Sequence, residues 1–239
     1  MDNGNVRSAL VTGIFVFAGL GLLGYLLGSS AIKFKGFERT VTVKGLSERE
    51  VLADTAIWPI QFTCATNDLG QLYANLSRDS QMVQAFLKKN GFQDEEITAG
   101  VPAIVDKMAQ QYGSNPGIQL RYTASQTITV CSGKVELVRN TMKKLMDLGR
   151  QGIVFSGNSY ENRPEFIFSR LNDIKPAMIE EATRKAREVA EKFARDSDSR
   201  LGKIRKARQG QFSIRDRDKN TPYIKKVRVV STVEYYLAD

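Results

Sequence analysis

Histidine, the side chain that most often accepts and returns protons at neutral pH, is absent from the 239-residue chain. Every Ser-His-Asp or Cys-His arrangement is therefore excluded, and the commonest zinc ligand is missing. Two cysteines, Cys64 and Cys131, are too few for a thiolate metal cluster or a disulfide scaffold. Remaining chemistry would fall to acids such as Glu48, Glu50, Asp54 and Asp106. A carboxylate pair works as acid and base only across a cleft of defined separation, and acids flanking strands are usually solvated. No catalytic, cofactor or metal residues are assigned, and the chain is expected not to be an enzyme.

One motif imitates a cofactor site. Gly19-Leu20-Gly21-Leu22-Leu23-Gly24 spells G-x-G-x-x-G, with Glu38 about twenty residues beyond its first glycine. A dinucleotide fold needs a strand before the motif and an amphipathic helix after it. Here the following Tyr25-Leu26-Leu27-Gly28 has no polar face. The glycines belong instead to an uncharged run of 25 residues, Ser8 to Ile32. At a rise of about 1.5 Å per residue it crosses a hydrocarbon core of about 30 Å with some tilt. Gly21, Gly24 and Gly28 then form a small-residue stripe on which membrane helices can approach closely, although glycines are also simply frequent in such spans.

Two fates for this segment compete. Ser29-Ser30-Ala31 has the small-x-small form of a signal-peptidase site, but the apolar run is longer than a usual signal core. We expect an uncleaved signal-anchor over 8–32, after a short tail at 1–7 and before a folded domain at 33–239. Arg7 before the span against Lys33, Lys35 and Arg39 after it mildly favours a cytoplasmic domain. The signal-like character of the segment points the other way, and we let it prevail.

The elements that follow must position whatever the domain does. Glu38 to Gly45 alternates polar and apolar residues as a half-buried strand does. Ala56 to Ala65 reads as a second strand, with Pro59 placing it at an edge or at a bulge. Asn67 or Asp68 caps a helix that runs to Asn90 and stops at Gly91, with Leu69, Leu72, Leu76, Val83, Phe86 and Leu87 inward. Strands are expected near 96–107 and 119–130, joined by a loop with Gly113, Pro116 and Gly117. A helix at 134–148 turns Val135, Val138, Met142 and Leu145 inward, and short strands follow near 153–156 and 165–169. The longest helix, 172–196, shows an inward stripe of Met178, Ala182, Ala186, Val189 and Phe193, with i,i+4 ion pairs outside. Strands at 203–214 and 224–237 close the chain. Three helices and about eight strands predict an α+β domain, helices packed on a mostly antiparallel sheet, preceded by one transmembrane helix.

Charge is unevenly spread. Of a net +9, all is matched by Arg200 to Arg228, which holds eleven Lys or Arg against two Asp. Lys203, Arg205, Lys206, Arg208, Lys225, Lys226 and Arg228 form the candidate surface for an anionic ligand or a subunit contact. On a periplasmic domain the counter-charge would be lipid head groups or lipopolysaccharide; stacking aromatics for nucleic acid are too few. Cys64 and Cys131 both end strands. A bridge between them would be worth up to about 4 kcal/mol, and two buried free thiols are the alternative.

Several stretches together resemble the SIMPL-domain family. They are Val41-Thr-Val-Lys-Gly45, Ala53-Asp-Thr-Ala56, Phe86-Leu-Lys-Lys-Asn-Gly91 and Arg121-Tyr-Thr-Ala124. Later ones, similar to a bacterial subgroup, are Leu171 to Met178, Leu201 to Ile204, Gln209 to Phe212 and Val227 to Val233. The resemblance covers about 38–237. Many relatives have Pro-Asp at the Ala53-Asp54 position, and many have a cleaved signal. The resemblance implies an α+β fold, a periplasmic or surface-associated bacterial protein, large ring-like self-assembly in some members, and a loose link to envelope stress. It supplies no catalytic residues. The expectation is a single-pass inner-membrane protein with its domain in the periplasm, whose partners are membrane lipid and copies of itself, with no nucleic acid, cofactor or small-molecule substrate.

Overall fold

The computed structural model describes residues 3–36, 39–109, 119–156 and 162–238. Glu38 and the loop with Gly113, Pro116 and Gly117 lie outside the described residues. The class is α+β: among the described residues the chain forms five α-helices, one short 3-10 helix and ten strands, and the strands make two sheets with antiparallel pairing. The first helix, α1 (Asn3–Gly36), has no polar face, and its Leu10–Ser30 stretch is long and apolar enough to span a membrane. The body expected as one domain is built as two compact units.

One unit comprises Arg49–Ile174 and Ile214–Val227. Its sheet runs β3 (Ile97–Ala99), β5 (Tyr122–Ser132), β2 (Thr55–Thr66), β6 (Val154–Phe155), with β4 (Ala103–Asp106) also on β5 and β7 (Glu165–Ile167) also on β2. The single strand expected at 96–107 is broken at Gly100-Val101-Pro102, and both pieces pair with β5. Even-numbered residues of β2 and β5, among them Trp58, Ile60, Phe62, Ile128 and Val130, point into the core. Pro59 lies neither at an edge strand nor at a bulge, the two places expected for it: its register with β5 is unbroken. β2 is central, but β7 covers 55–57 and β6 covers 62–63, so Pro59 falls where that side of the ladder is open. Its missing N–H costs no strand bond there.

Helix α2 (Leu69–Lys89) lays Leu72, Leu76, Val83 and Leu87 into this core. Asp68 Oδ1 accepts from the Gln71 amide at 2.6 Å as the N-cap, and Gly91 stops the helix with φ of +100°. Leu69 shares the inward angle but sits in the first turn and is 42% exposed. Asp79 takes a place in the buried stripe, its Oδ1 accepting from Arg78 Nε and Nη2 at 3.0 and 2.9 Å. The helix expected at 134–148 is divided into α3 (Val135–Lys143) and α4 (Met146–Gly149).

The other unit comprises Met1–Glu48, Lys175–Ser213 and Arg228–Asp239. Its strands come from β1 (Thr40–Leu52), β10 (Ile224–Ala238) and β8 (Arg200–Gln209), in that order across the sheet, and β9 (Ser213–Asp216) also pairs with β10. Helix α5 (Leu171–Asp196) lies on them with a strict four-residue repeat, Met178, Ala182, Ala186, Ala190 and Ala194, all buried. Val189 and Phe193, expected inward, are 40% and 56% exposed. Their larger side chains would hold the helix off the sheet, whereas alanine lets it settle. Gly45 completes the fit: a Cβ there would stand 1.8 Å from the Ala182 carbonyl oxygen.

Candidate functional site

Strand β8 is the end of its sheet. It pairs with β10 on one side, and among the described residues no strand lies on the other. Nine of its ten residues are exposed. The register sets Ala207 against Val233 and Ile204 against Tyr235 on the face toward α5, and Lys206 against Glu234 and Arg208 against Thr232 on the outer face. Two irregularities, between Glu234 and Tyr235 and between Tyr235 and Leu237, add twist to the edge.

Helix α5 covers β10 but leaves β8 bare, so a groove of about 670 Å³ opens between them. Glu180, Thr183, Arg184 and Arg187 form its helix wall, and Lys203, Ile204 and the buried ring of Tyr235 form its floor. Ile204 is 51% exposed. Gly202 admits the strand here, since a Cβ would lie 2.9 Å from the Tyr236 carbonyl oxygen. On the outer face, Lys206 and Arg208 flank a smaller hollow of about 210 Å³ with Thr42, Thr232 and Glu234.

The seven basic residues expected to act together are divided by the fold. Lys203 faces the groove, while Lys206 and Arg208 face outward. Arg205 bonds Glu234 Oε1 at 2.8 Å. On β10, Arg228 is exposed on the outer face, Lys226 is half-buried, and Lys225 points to the inner side, 8% exposed and paired with Asp216. Lys225 is thus one half of a structural ion pair and, buried as it is, contributes no charge to an exposed ligand surface. Neighbouring residues in a strand face opposite ways, so a run of basic letters cannot share one face.

The disulfide is corrected by the same geometry. Cys64 pairs with Ala124 on the core face, and Cys131 pairs with Ile57 on the opposite face. They are seven register positions apart, about 23 Å at strand rise, and both thiols are free. Burial raises the Cys64 pKa, and the nearby Asp79 charge adds to it.

Each candidate acid is engaged. Asp54 Oδ2 accepts from the Ser169 and Arg170 amides at 2.8 and 3.1 Å, and Oδ1 from the Ser169 and Thr55 hydroxyls at 3.0 and 3.1 Å. Burial pushes its pKa up, but these donors outweigh it and hold the carboxyl below its usual range. They tie the β1–β2 turn to the start of α5. Arg121 clamps Asp106 through Nε and Nη2, and this hydrogen bonding leads in lowering the Asp106 pKa. Glu50 meets Arg217 at 3.5 Å. No three His, Cys, Asp or Glu side chains among the described residues are grouped to hold a metal ion. Gly21, Gly24 and Gly28 lie on one continuous helix, α1, within about 60° of arc at 100° per residue. Beyond the helix's own backbone, nothing among the described residues stands within 4 Å of a Cβ built at any of them. The groove itself escaped the sequence reading; the signal for it was the alanine repeat, which fixes how far the helix sinks.

No curated protein matches the chain. A family model does, over residues 41–234: SIMPL, described as a protein of unknown function (DUF541). The match covers most of the chain, including all of α5 and β8, and the protein belongs to the SIMPL family.

Proposed function

We propose that this protein is a non-catalytic, membrane-anchored module that self-associates into a ring- or cage-like homo-oligomer, with α1 in the inner membrane and the body in the periplasm, in the service of the stressed envelope. One observation carries the assembly: β1 is a 13-residue strand at the sheet edge opposite β8, with no strand on its outer side among the described residues. Its charges, Lys44, Glu48, Arg49 and Glu50, balance. An antiparallel pairing of two copies centred on Leu46 sets Lys44 opposite Glu48 twice and Leu46 opposite itself. Each opposite-charge pair across strands contributes about 0.2–1 kcal/mol. The glycine stripe of α1 offers a second contact within the bilayer, as closing a ring demands.

Light scattering on the full chain in mild detergent tests this. An oligomer is expected at micromolar concentration, shifted toward monomer by Glu48→Lys and restored by Lys44→Glu in the same chain. A monomeric parent, or a charge swap that fails to restore, refutes it. A C-terminal alkaline phosphatase fusion that stays inactive refutes the periplasmic placement.

A second reading, a basic module for an anionic envelope partner, is favoured by the outer hollow. Among the described residues Lys206 and Arg208 there make no ion pair, and both are exposed. Cosedimentation of the full chain with anionic-lipid vesicles tests that reading, with Lys206→Glu/Arg208→Glu as the control.

A further inference from the structure

We propose that the free edge of β8, with the groove beside it, takes up an extended acidic peptide as an added strand. This deepens the second reading by naming the partner class. Among the described residues, backbone groups along the outer side of β8 meet no strand, and such an edge is a template for strand addition. Arg200, Lys203, Arg205, Lys206 and Arg208 place five cations and no acid on ten residues. Only Arg205 of these five makes an ion pair among the described residues. A second copy of β8 would bring five cations against five, so self-pairing at this edge is opposed by charge.

Edge charges alone protect a sheet from aggregation. They do not call for the second feature, a groove with an apolar floor at the same edge. A strand laid beside β8 sends alternate side chains to opposite faces. Those on the α5 side reach Ile204, Ala207 and the stems of Arg184 and Arg187. Those on the outer side reach Lys206 and Arg208. The preferred ligand alternates apolar and acidic residues, and its acids fall on the side of Lys206 and Arg208.

The probe is a fluorescein-labelled ten-residue peptide of alternating glutamate and valine, titrated by anisotropy against the full chain in nonionic detergent. Saturable binding is expected, weakened at least tenfold by Lys206→Glu/Arg208→Glu and also by Ile204→Asp, in variants whose circular dichroism matches the parent. The same peptide N-methylated at every second residue, made in both registers, is expected to lose binding in one register, because only one set of its amides faces β8. Equal binding of both methylated peptides overturns strand addition. Vesicles of anionic lipid that bind through Lys206 and Arg208, with no peptide binding, overturn the peptide and leave the basic-module reading standing. If neither binds, both fall.

Discussion

Adding one methyl at Gly45 probes how α5 lies on β1. A Cβ there stands 1.8 Å from the Ala182 carbonyl oxygen and 2.5 Å from the Ala186 nitrogen. Both are helix backbone and cannot swing aside. Restoring ordinary contact near 3.5 Å moves α5 outward by about 1.7 Å, and a gap of even 0.5–1 Å forfeits about a quarter to a half of a dispersion well. The inward stripe is Met178 and four alanines, whose burial contributes about 0.8 kcal/mol per methyl and about 2 kcal/mol for methionine, about 5 kcal/mol in all. Losing half gives about 2.5 kcal/mol, within the range for overpacked cores and roughly 60-fold in the folding equilibrium. Urea denaturation of full-length Gly45→Ala in mild detergent, followed by circular dichroism, should show this loss. Amide exchange should quicken in α5 and β1 first. Because the clash is with backbone, Ala186→Gly in the same chain should not rescue it. Stability within about 0.5 kcal/mol of the parent, or rescue by that second change, refutes the packing argument.

Three further outcomes follow from the site geometry. The Asp54 pKa is lower folded than its unfolded 3.8, so its contribution is present above that pH and lost as pH falls through the folded value. Asp54→Asn should cost about 1–2 kcal/mol near neutrality, with parent and variant converging in acid titrations; a constant gap contradicts it. Lys225→Glu places an acid at a buried position beside the half-exposed Asp216 and should cost about 3 kcal/mol in thermal melts, whereas Lys206→Glu on the open face should cost about 0.5 kcal/mol or less. Ellman's reagent should label the exposed Cys131 at once and the partly buried Cys64 more slowly, and oxidant should produce no loss of two hydrogens from the monomer mass; an internal bridge would overturn the register of β2 and β5.

Local signals were readable without coordinates wherever one segment carried them alone. Asp68 and Gly91 delimit α2 because capping is an interaction of a helix with its own backbone ends. The apolar run of α1 needs only length and composition. By contrast, Pro59 fits an edge or a bulge equally well by sequence, because the two short strands that leave its side open come from nearly a hundred residues later in the chain. Val189 and Phe193 fit the helical period as well as Ala190 and Ala194 do. Only the approach of Gly45 selects the alanines.

Composition alone determined that no histidine-dependent chemistry operates here and that positive charge gathers near the C-terminus. The order of apolar and polar residues along the chain determined one apolar helix ahead of an α+β body. Tertiary structure decided which side of each strand meets water, and so separated Lys225 from Lys206 and Cys64 from Cys131. It also decided that β8 is left uncovered beside α5. The physical reason is that strand pairing and burial depend on partners far apart in the chain, while a residue's type and its neighbours in sequence set only charge, hydropathy and local conformation.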